Sequence, residues 1–338
     1  MILAGDIGGT KTLLALYDDS GTQRIYHQRY ASGSYGQFDL LLQGFLDAAA
    51  NNHTMMLTAA GFGIAGPIQG EPGAQRVHAT NLPWQLDSVA LSRQLGGVPV
   101  VFANDLVASG TAAIASTPLH RTTLNPLAEP VTRASAGHVA VIAAGTGLGE
   151  AVFCYDGQRY HPMPTEGGHC SFAPNSAVED QLWSFLRARL DGHVSYERIL
   201  SGKGFFYLYE FARAEGLAQE TPHMIARLAE ADDPSVVITQ QACAGSDTLS
   251  EIACRLFARI YGAEAGNLAL KCLPYGGVFV AGAIAGHILP FMQTEFMTGF
   301  TDKGRFADLL RRIPVWMVSD PDLALQGAAR LAAEHVRG

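Results

Sequence analysis

The sequence predicts a mixed α/β protein organised in two lobes. Three observations carry that expectation. The chain has 338 residues, too many for one simple core and too few for three domains. Short continuous apolar runs, the kind that become covered strands, alternate with segments of helical spacing. The opening pattern of apolar strand, glycine turn, apolar strand and Tyr-Asp also recurs at 138–157, where Tyr155-Asp156 match Tyr17-Asp18. That repeat hints at an internal duplication. The expected lobes are 1–112, rejoined by the closing segment at about 322–338, and 113–321.

The elements follow in order. Residues 2–30 read as three successive strands. Phe38, Leu41, Leu42, Phe45 and Leu46 recur at helical spacing between Tyr35 and Ala50. "MLTAAGFGIAGPI" is a buried strand that ends in a Gly-Pro turn. "RVHATNLPWQLD" is a short strand and loop, and Asp87 is placed to cap a helix from Ser88 to Leu95. "VPVVFAN" is a continuous apolar strand, and Asp105 to Ala115 is helical. The clearest helices are Ser176–Leu190 and Ser246–Cys272; the second sets Leu249, Ile252, Ala253, Leu256 and Ile260 on one face. "GGVFVAGAIAG" and "IPVWMVSD" are late strands, and a helix from Asp322 to Val336 closes the chain.

Composition narrows the function. Apolar residues make up 48% of the chain, enough for a large core, and the formal net charge is −8. No Lys or Arg run is present, which argues against a nucleic-acid or membrane partner. No stretch reads as a signal peptide or a membrane span, so a cytoplasmic location is expected. The cysteines are Cys154, Cys170, Cys243, Cys254 and Cys272. They are scattered and odd in number, which fits reduced thiols and not a cysteine zinc site. Cys243 and Cys254 read as small core residues.

Several motifs carry chemistry. Asp6 precedes Gly8-Gly9-Thr10, where bare backbone N–H groups and a hydroxyl can face an anion. Asp6 would repel a phosphate directly and makes sense only through Mg²⁺, by way of metal-bound water. Taken alone, the stretch is better read as an ordinary tight turn, the more common use of Gly-Gly. Gly145-Thr146-Gly147 begins a second glycine hairpin. It enters a strand, so it fails the dinucleotide fingerprint, and no Walker loop follows. Two such hairpins, one per lobe, suit a clamped nucleotide. Asn104-Asp105 follows a buried strand, at the end where α/β sheets bind ligands, and either residue can also cap the next helix. Glu166 and His169 flank two glycines. They make a poor zinc site but suit a polyol; a solvated loop is the alternative. Glu197 opens a short helix, where a solvated acidic residue is the default.

The motifs "GDIGGTKT", "GIAGPIQG", "TNLPW", "VFANDLVASG", "AAGTGLGEA", "EGGHCSFAP", "SYERILSGKG", "GGVFVAGAIA" and "DKGRF" occur in that order over nearly the whole chain. Together they resemble the bacterial glucokinases of the hexokinase–actin–Hsp70 superfamily. "EGGH" with "ERILSG" is the most specific part. The resemblance implies a two-lobed ribonuclease-H-like, actin-like ATPase fold with a cleft between the lobes. It implies ATP-dependent phosphorylation of glucose at the 6-hydroxyl, with Mg²⁺, and a homodimer. By the same likeness, Asp105 is the base, and Asn104, Asp105, Glu166, His169 and Glu197 hold the sugar. Gly5, Asp6, Ile7, Gly8, Gly9, Thr10, Lys11, Gly145, Thr146 and Gly147 would face ATP phosphates, with Gly277 and Gly282 near the adenosine. Two departures stand out: Ala283 replaces a glycine of the family, and Gly286-His287 replaces a Pro-Arg pair. The related ROK kinases carry a cysteine-rich zinc motif that this chain lacks, which places it with the zinc-free branch. A kinase for another hexose and a non-catalytic sugar sensor on the same scaffold are the rival readings.

Overall fold

The computed structural model describes residues 1–337 apart from 52, 54, 55, 130–135 and 191. Its contacts divide the chain into one unit of Met1–Ser116 with Pro321–Gly338 and another of Thr117–Asp320. Residue 112, where the sequence ended the first lobe, lies inside the helix Asp105–Ala115.

The first unit is built on strands β1 (Ile2–Ile7), β2 (Lys11–Tyr17), β3 (Arg24–Ala31), β4 (Ala59–Ile64), β5 (Ile68–Gln69), β6 (Arg76–His78), β7 (Gln85–Asp87) and β8 (Val100–Asn104). The main sheet runs β3-β2-β1-β4-β8, and β5-β6-β7 form a small sheet beside it. β1 pairs antiparallel with β2 and parallel with β4; β4 pairs parallel with β8. β1 and β4 are apolar and buried along nearly their whole length, as central parallel strands must be. One face is packed by the helix Phe38–Ala50, whose Phe38, Leu41, Leu42 and Phe45 enter a core with Phe62, Phe102 and Trp84. The C-terminal helix Leu323–Arg337 covers Ile2, Ala4, Ala15 and Ala59 with Leu325, Ala328, Ala329 and Ala332. Small residues let it come close: a Cβ on Gly61 would stand 2.2 Å from the Ala328 carbonyl oxygen. As expected, Asp87 caps the helix Ser88–Gln94, its Oδ1 accepting from Val89 N and Ala90 N.

The second unit carries β9 (Thr122–Thr123), β10 (Val139–Ala144), β11 (Leu148–Tyr155), β12 (Tyr160–Thr165), β13 (Gly277–Ala281) and β14 (Val315–Met317). Its sheet runs β12-β11-β10-β13-β14-β9. The first five strands repeat the order and directions of the first unit's sheet: two antiparallel pairs, then two parallel ones. The duplication hinted at by the hairpins therefore extends across whole sheets. The helix Thr248–Cys272 runs through the core, with Phe257 stacked on Phe205 at 4.1 Å. It is buried on more than one side. Leu249, Ala253 and Ile260 are fully enclosed, whereas Ile252 and Leu256 are only half-buried. Cys254 is a core residue, but Cys243 is exposed: it stands at the last turn of Pro234–Cys243, outside the packed face formed by Val237, Ile238 and Ala242. All five cysteines are unpaired. Among the described residues no helix is long and apolar enough to cross a membrane.

Candidate active site

The candidate residues divide between the two units, and each set has its own geometry. In the first unit they collect at the carboxyl ends of the parallel strands β1, β4 and β8, where α/β sheets place ligands. Asn104 ends β8 and caps the next helix: its Oδ1 accepts from Leu106 N at 2.9 Å. The same N–H also reaches Asp105 Oδ1 at 2.9 Å, so one donor orients both side chains. Asp105 sits in the first turn of the helix, where the macrodipole favours a carboxylate.

Asp6 lies one residue before the end of β1. Burial, and then the neighbouring Asp105, push its carboxyl up to about 6; Lys11 opposes the shift and Asp322 adds to it. The turn after it is braced by Ser32. The Ser32 hydroxyl donates to the Gly8 carbonyl at 2.7 Å, and its N–H donates to Thr10 O at 3.1 Å. The turn closes with Gly8 N on Lys11 O at 3.0 Å, leaving Thr10 and Lys11 at the surface. Two nearby candidates have packing roles. Ile7 is a buried core residue, and Gly5 is bare because a Cβ there would stand 2.5 Å from the Phe62 ring.

In the second unit three distant segments converge on Leu148, the first residue of β11. Its N–H donates to Glu197 Oε2 at 3.1 Å. Its carbonyl lies against Gly168, where a Cβ would stand 2.0 Å from the oxygen. Gly147, just before it, is bare because a Cβ there would sit 2.4 Å from Glu197 Oε2. His169 Nδ1 is 4.0 Å from Glu197 Oε1. Glu166 precedes the single turn Gly167–His169 and is exposed. That turn is tied to the Glu197 segment by Tyr196 N on Cys170 O at 3.0 Å. Glu166, His169, Glu197 and the Gly145–Gly147 turn thus belong to one cluster. The end of β10 is fixed from below by Tyr261, whose hydroxyl accepts from Ala144 N at 3.0 Å.

Beside that cluster opens a cavity of about 1060 Å³ within the second unit. Gly145 and Thr146 form one edge, with Gly202, Lys203, Ile284 and His287 around it. A Cβ on Gly145 would meet nothing within 4 Å, so its backbone is open to a ligand. Gly202 N donates to Gly145 O at 2.9 Å and binds the two turns together. Gly282 (φ +90°) caps the helix Ala283–His287 at the carboxyl end of β13, against the Ala144 carbonyl. Gly277 lies at the opposite end of that strand, roughly 17 Å away, with φ +111° and its Cα under the Trp316 ring. Gly277 is thus packed under a ring at the start of β13, while Gly282 stands at its carboxyl end. Reading the sequence missed Lys203, Arg189 and the Asp233–Ser235 edge of the cavity; "SGKG" at 201–204 was the one visible signal.

Donor chemistry decides which metal fits. Among the described residues no three His, Cys, Asp or Glu side chains gather as a metal cage. Asp6 offers one carboxylate beside a turn suited to phosphate, which matches Mg²⁺ held through water and substrate oxygens.

A glucokinase family profile matches residues 3–335. The chain is 40% identical to a glucokinase of Nostoc punctiforme, over 98% of this chain and 99% of that one. Its structure is similar to a glucokinase from an Antarctic psychrotroph, with TM-score 0.80 and 25% identity over 98% of each chain. It also shares its fold with a ROK-family glucokinase of Streptomyces griseus solved with glucose and AMPPNP, with TM-score 0.65 and 21% identity over 98% of this chain and 99% of that one. The α/β units are of the actin-like ATPase fold common to these sugar kinases. On a family match that spans nearly its whole length, the chain belongs to the glucokinase family.

Proposed function

We propose that the protein transfers the γ-phosphoryl group of ATP to the 6-hydroxyl of D-glucose. The observation that carries this reading is the convergence on Leu148 of the Gly145–Gly147 turn, the Glu166–His169 loop and Glu197. A nucleotide turn and a set of polyol-binding groups thereby share one strand end.

Each residue has a defined task. The 6-oxygen attacks the γ-phosphorus, the bond from that phosphorus to the β,γ-bridging oxygen breaks, and the hydroxyl proton passes to the Asp105 carboxylate. Such a transfer needs positioning and charge neutralisation more than covalent help. The N–H of Leu106 holds Asp105 in one orientation. Glu166, His169, Glu197 and Asn104 bind ring hydroxyls, and a sugar that lacks one leaves its partner without a hydrogen bond. The backbone at Gly8–Lys11 and at Gly145–Gly147 faces phosphate oxygens, and the adenosine takes the cavity bordered by Lys203, Ile284 and His287. Mg²⁺, held by Asp6 through water, would offset charge on the phosphates.

The finer family placement belongs to the same reading. Five scattered cysteines support the zinc-free branch, and the likeness to that branch supports a cytoplasmic homodimer. The experiment that tests the substrate is a panel of hexoses in an ATP-coupled phosphorylation assay. Glucose should give the highest kcat/KM. A higher value for mannose or N-acetylglucosamine would change the substrate and leave the mechanism.

A further inference from the structure

Two carboxylates that the proposed mechanism does not use lie directly beneath the sugar-facing loop. Glu150 on β11 is 2% exposed, and Glu264 in the helix Thr248–Cys272 is fully buried. Their carboxyl groups are in hydrogen-bonding contact with one another. Both Oε1 atoms are buried and make no hydrogen bond. Two ionised carboxylates in such a place would carry an unneutralised charge, which burial disfavours.

The surroundings tie this pair to both sugar segments. Glu150 Oε2 sits where a Cβ on Gly167 would be, 2.1 Å away, so the loop backbone rests on the carboxyl group. The Glu150 carbonyl accepts from Thr165 Oγ1, which in turn accepts from Gly167 N. On the other side Glu264 Oε2 accepts from Asn267 Nδ2 at 2.9 Å, and the same amide reaches Tyr196 Oη at 3.0 Å. Tyr196 adjoins Glu197.

We propose that Glu150 and Glu264 share one proton and act as a positioning pair, setting the Glu166–His169 loop and the Tyr196–Glu197 turn on β11. This rests on the reading of those segments as the sugar site. Burial, and then Glu264, push the Glu150 carboxyl up to about 8, and burial raises Glu264 as well. The other titratable groups facing the pair are Tyr261, Lys271 and Cys272 from the long helix, Tyr196, and Lys303. Lys271 Nζ is 3.9 Å from Glu264 Oε1 but half in solvent. Burial raises both tyrosines and pushes Cys272 up to about 11, so they stay neutral where the pair loses its proton. Above about pH 8 the Glu150 carboxylate under Gly167 and the Glu264 carboxylate repel one another, and the loop should lose its seat.

The test compares wild type with Glu150→Gln and Glu264→Gln, whose amides keep the shape and supply a permanent donor. Infrared difference spectra should show a protonated carboxyl in the wild type that disappears between about pH 7 and pH 9 and is absent from both variants. Glucose binding by calorimetry should weaken about tenfold over that range in the wild type and stay constant in Glu150→Gln, with ATP affinity unchanged in both. No protonated carboxyl at neutral pH, or the same alkaline loss of glucose binding in Glu150→Gln, overturns the proposal. Glu166→Gln serves as the control for the underlying reading. If it binds glucose as tightly as wild type, the sugar site itself is misplaced, while the infrared result still decides whether the pair holds a proton.

Discussion

The Leu148 N–H and Glu197 Oε2 meet at 3.1 Å, joining the glycine turn at 145–147 to a carboxylate 49 residues further along the chain. This bond fixes Glu197 at the edge of that turn. It also explains why position 147 holds glycine, since a Cβ there would stand 2.4 Å from the same oxygen.

Gly147→Ala should therefore push Glu197 off its seat and leave the fold intact, because the obstructing atom is the end of a flexible side chain. Glucose KM should rise about tenfold, with little change in melting temperature. Steady-state kinetics beside a thermal melt checks this, and an unchanged KM would break the link between the two residues.

On the proposed reading, Glu197→Gln and Glu166→Gln each remove a charged acceptor from a sugar hydroxyl, a contact worth about 1.5–3 kcal/mol. Glucose KM should rise by roughly one to two decades, and ATP KM should barely move. A rise confined to ATP KM would assign these residues to the nucleotide.

Asp105→Asn keeps the orienting bond from Leu106 N and a good helix start. Folding should be untouched, while kcat falls by roughly two to four decades, the range for loss of a general base. Near-native turnover in this variant would remove Asp105 from the chemistry.

Asp6 links activity to stability. Its carboxyl is raised to about 6, so the folded chain holds that proton more tightly than the unfolded one. The group's stabilising contribution is full below its ordinary pKa and is lost as pH rises through about 6. Asp6→Asn should accordingly melt a few degrees higher than wild type at about pH 8. The gap should close as the pH falls toward the ordinary carboxylate range. Turnover should drop about 10- to 100-fold. A variant less stable than wild type at alkaline pH would show that Asp6 is not the desolvated carboxylate described.

Much of this architecture was legible in the residues. β4, β8, β10 and β13 are apolar runs ending in glycine or a polar pair, β1 is broken only by Asp6, and the candidate residues gather at strand ends. β12 was not legible: Pro162 and Pro164 argue against a strand, and its side chains are mostly exposed. It is tolerated because it is an edge strand, where a missing N–H costs no ladder bond. The helices Gly202–Ala214, Pro222–Ala229 and Pro234–Cys243 were hidden by glycines or a proline at their first turns, positions that start helices as readily as they break them. Gly5 and Gly277 resembled ligand-facing glycines, yet the Phe62 and Trp316 rings account for them. Glu150 and Glu264 left no signal, because a charged residue within an apolar run does not reveal a partner 114 residues away.

The central claim is that glucose is the acceptor of the ATP γ-phosphoryl group. Its most direct test is ADP formation by the wild-type protein with and without glucose, read against glucose 6-phosphate formed. ADP release that depends on glucose, at one glucose 6-phosphate per ADP, is the predicted result. Tight glucose binding with no glucose-dependent ADP would contradict the claim and make the protein a sugar sensor on a kinase scaffold.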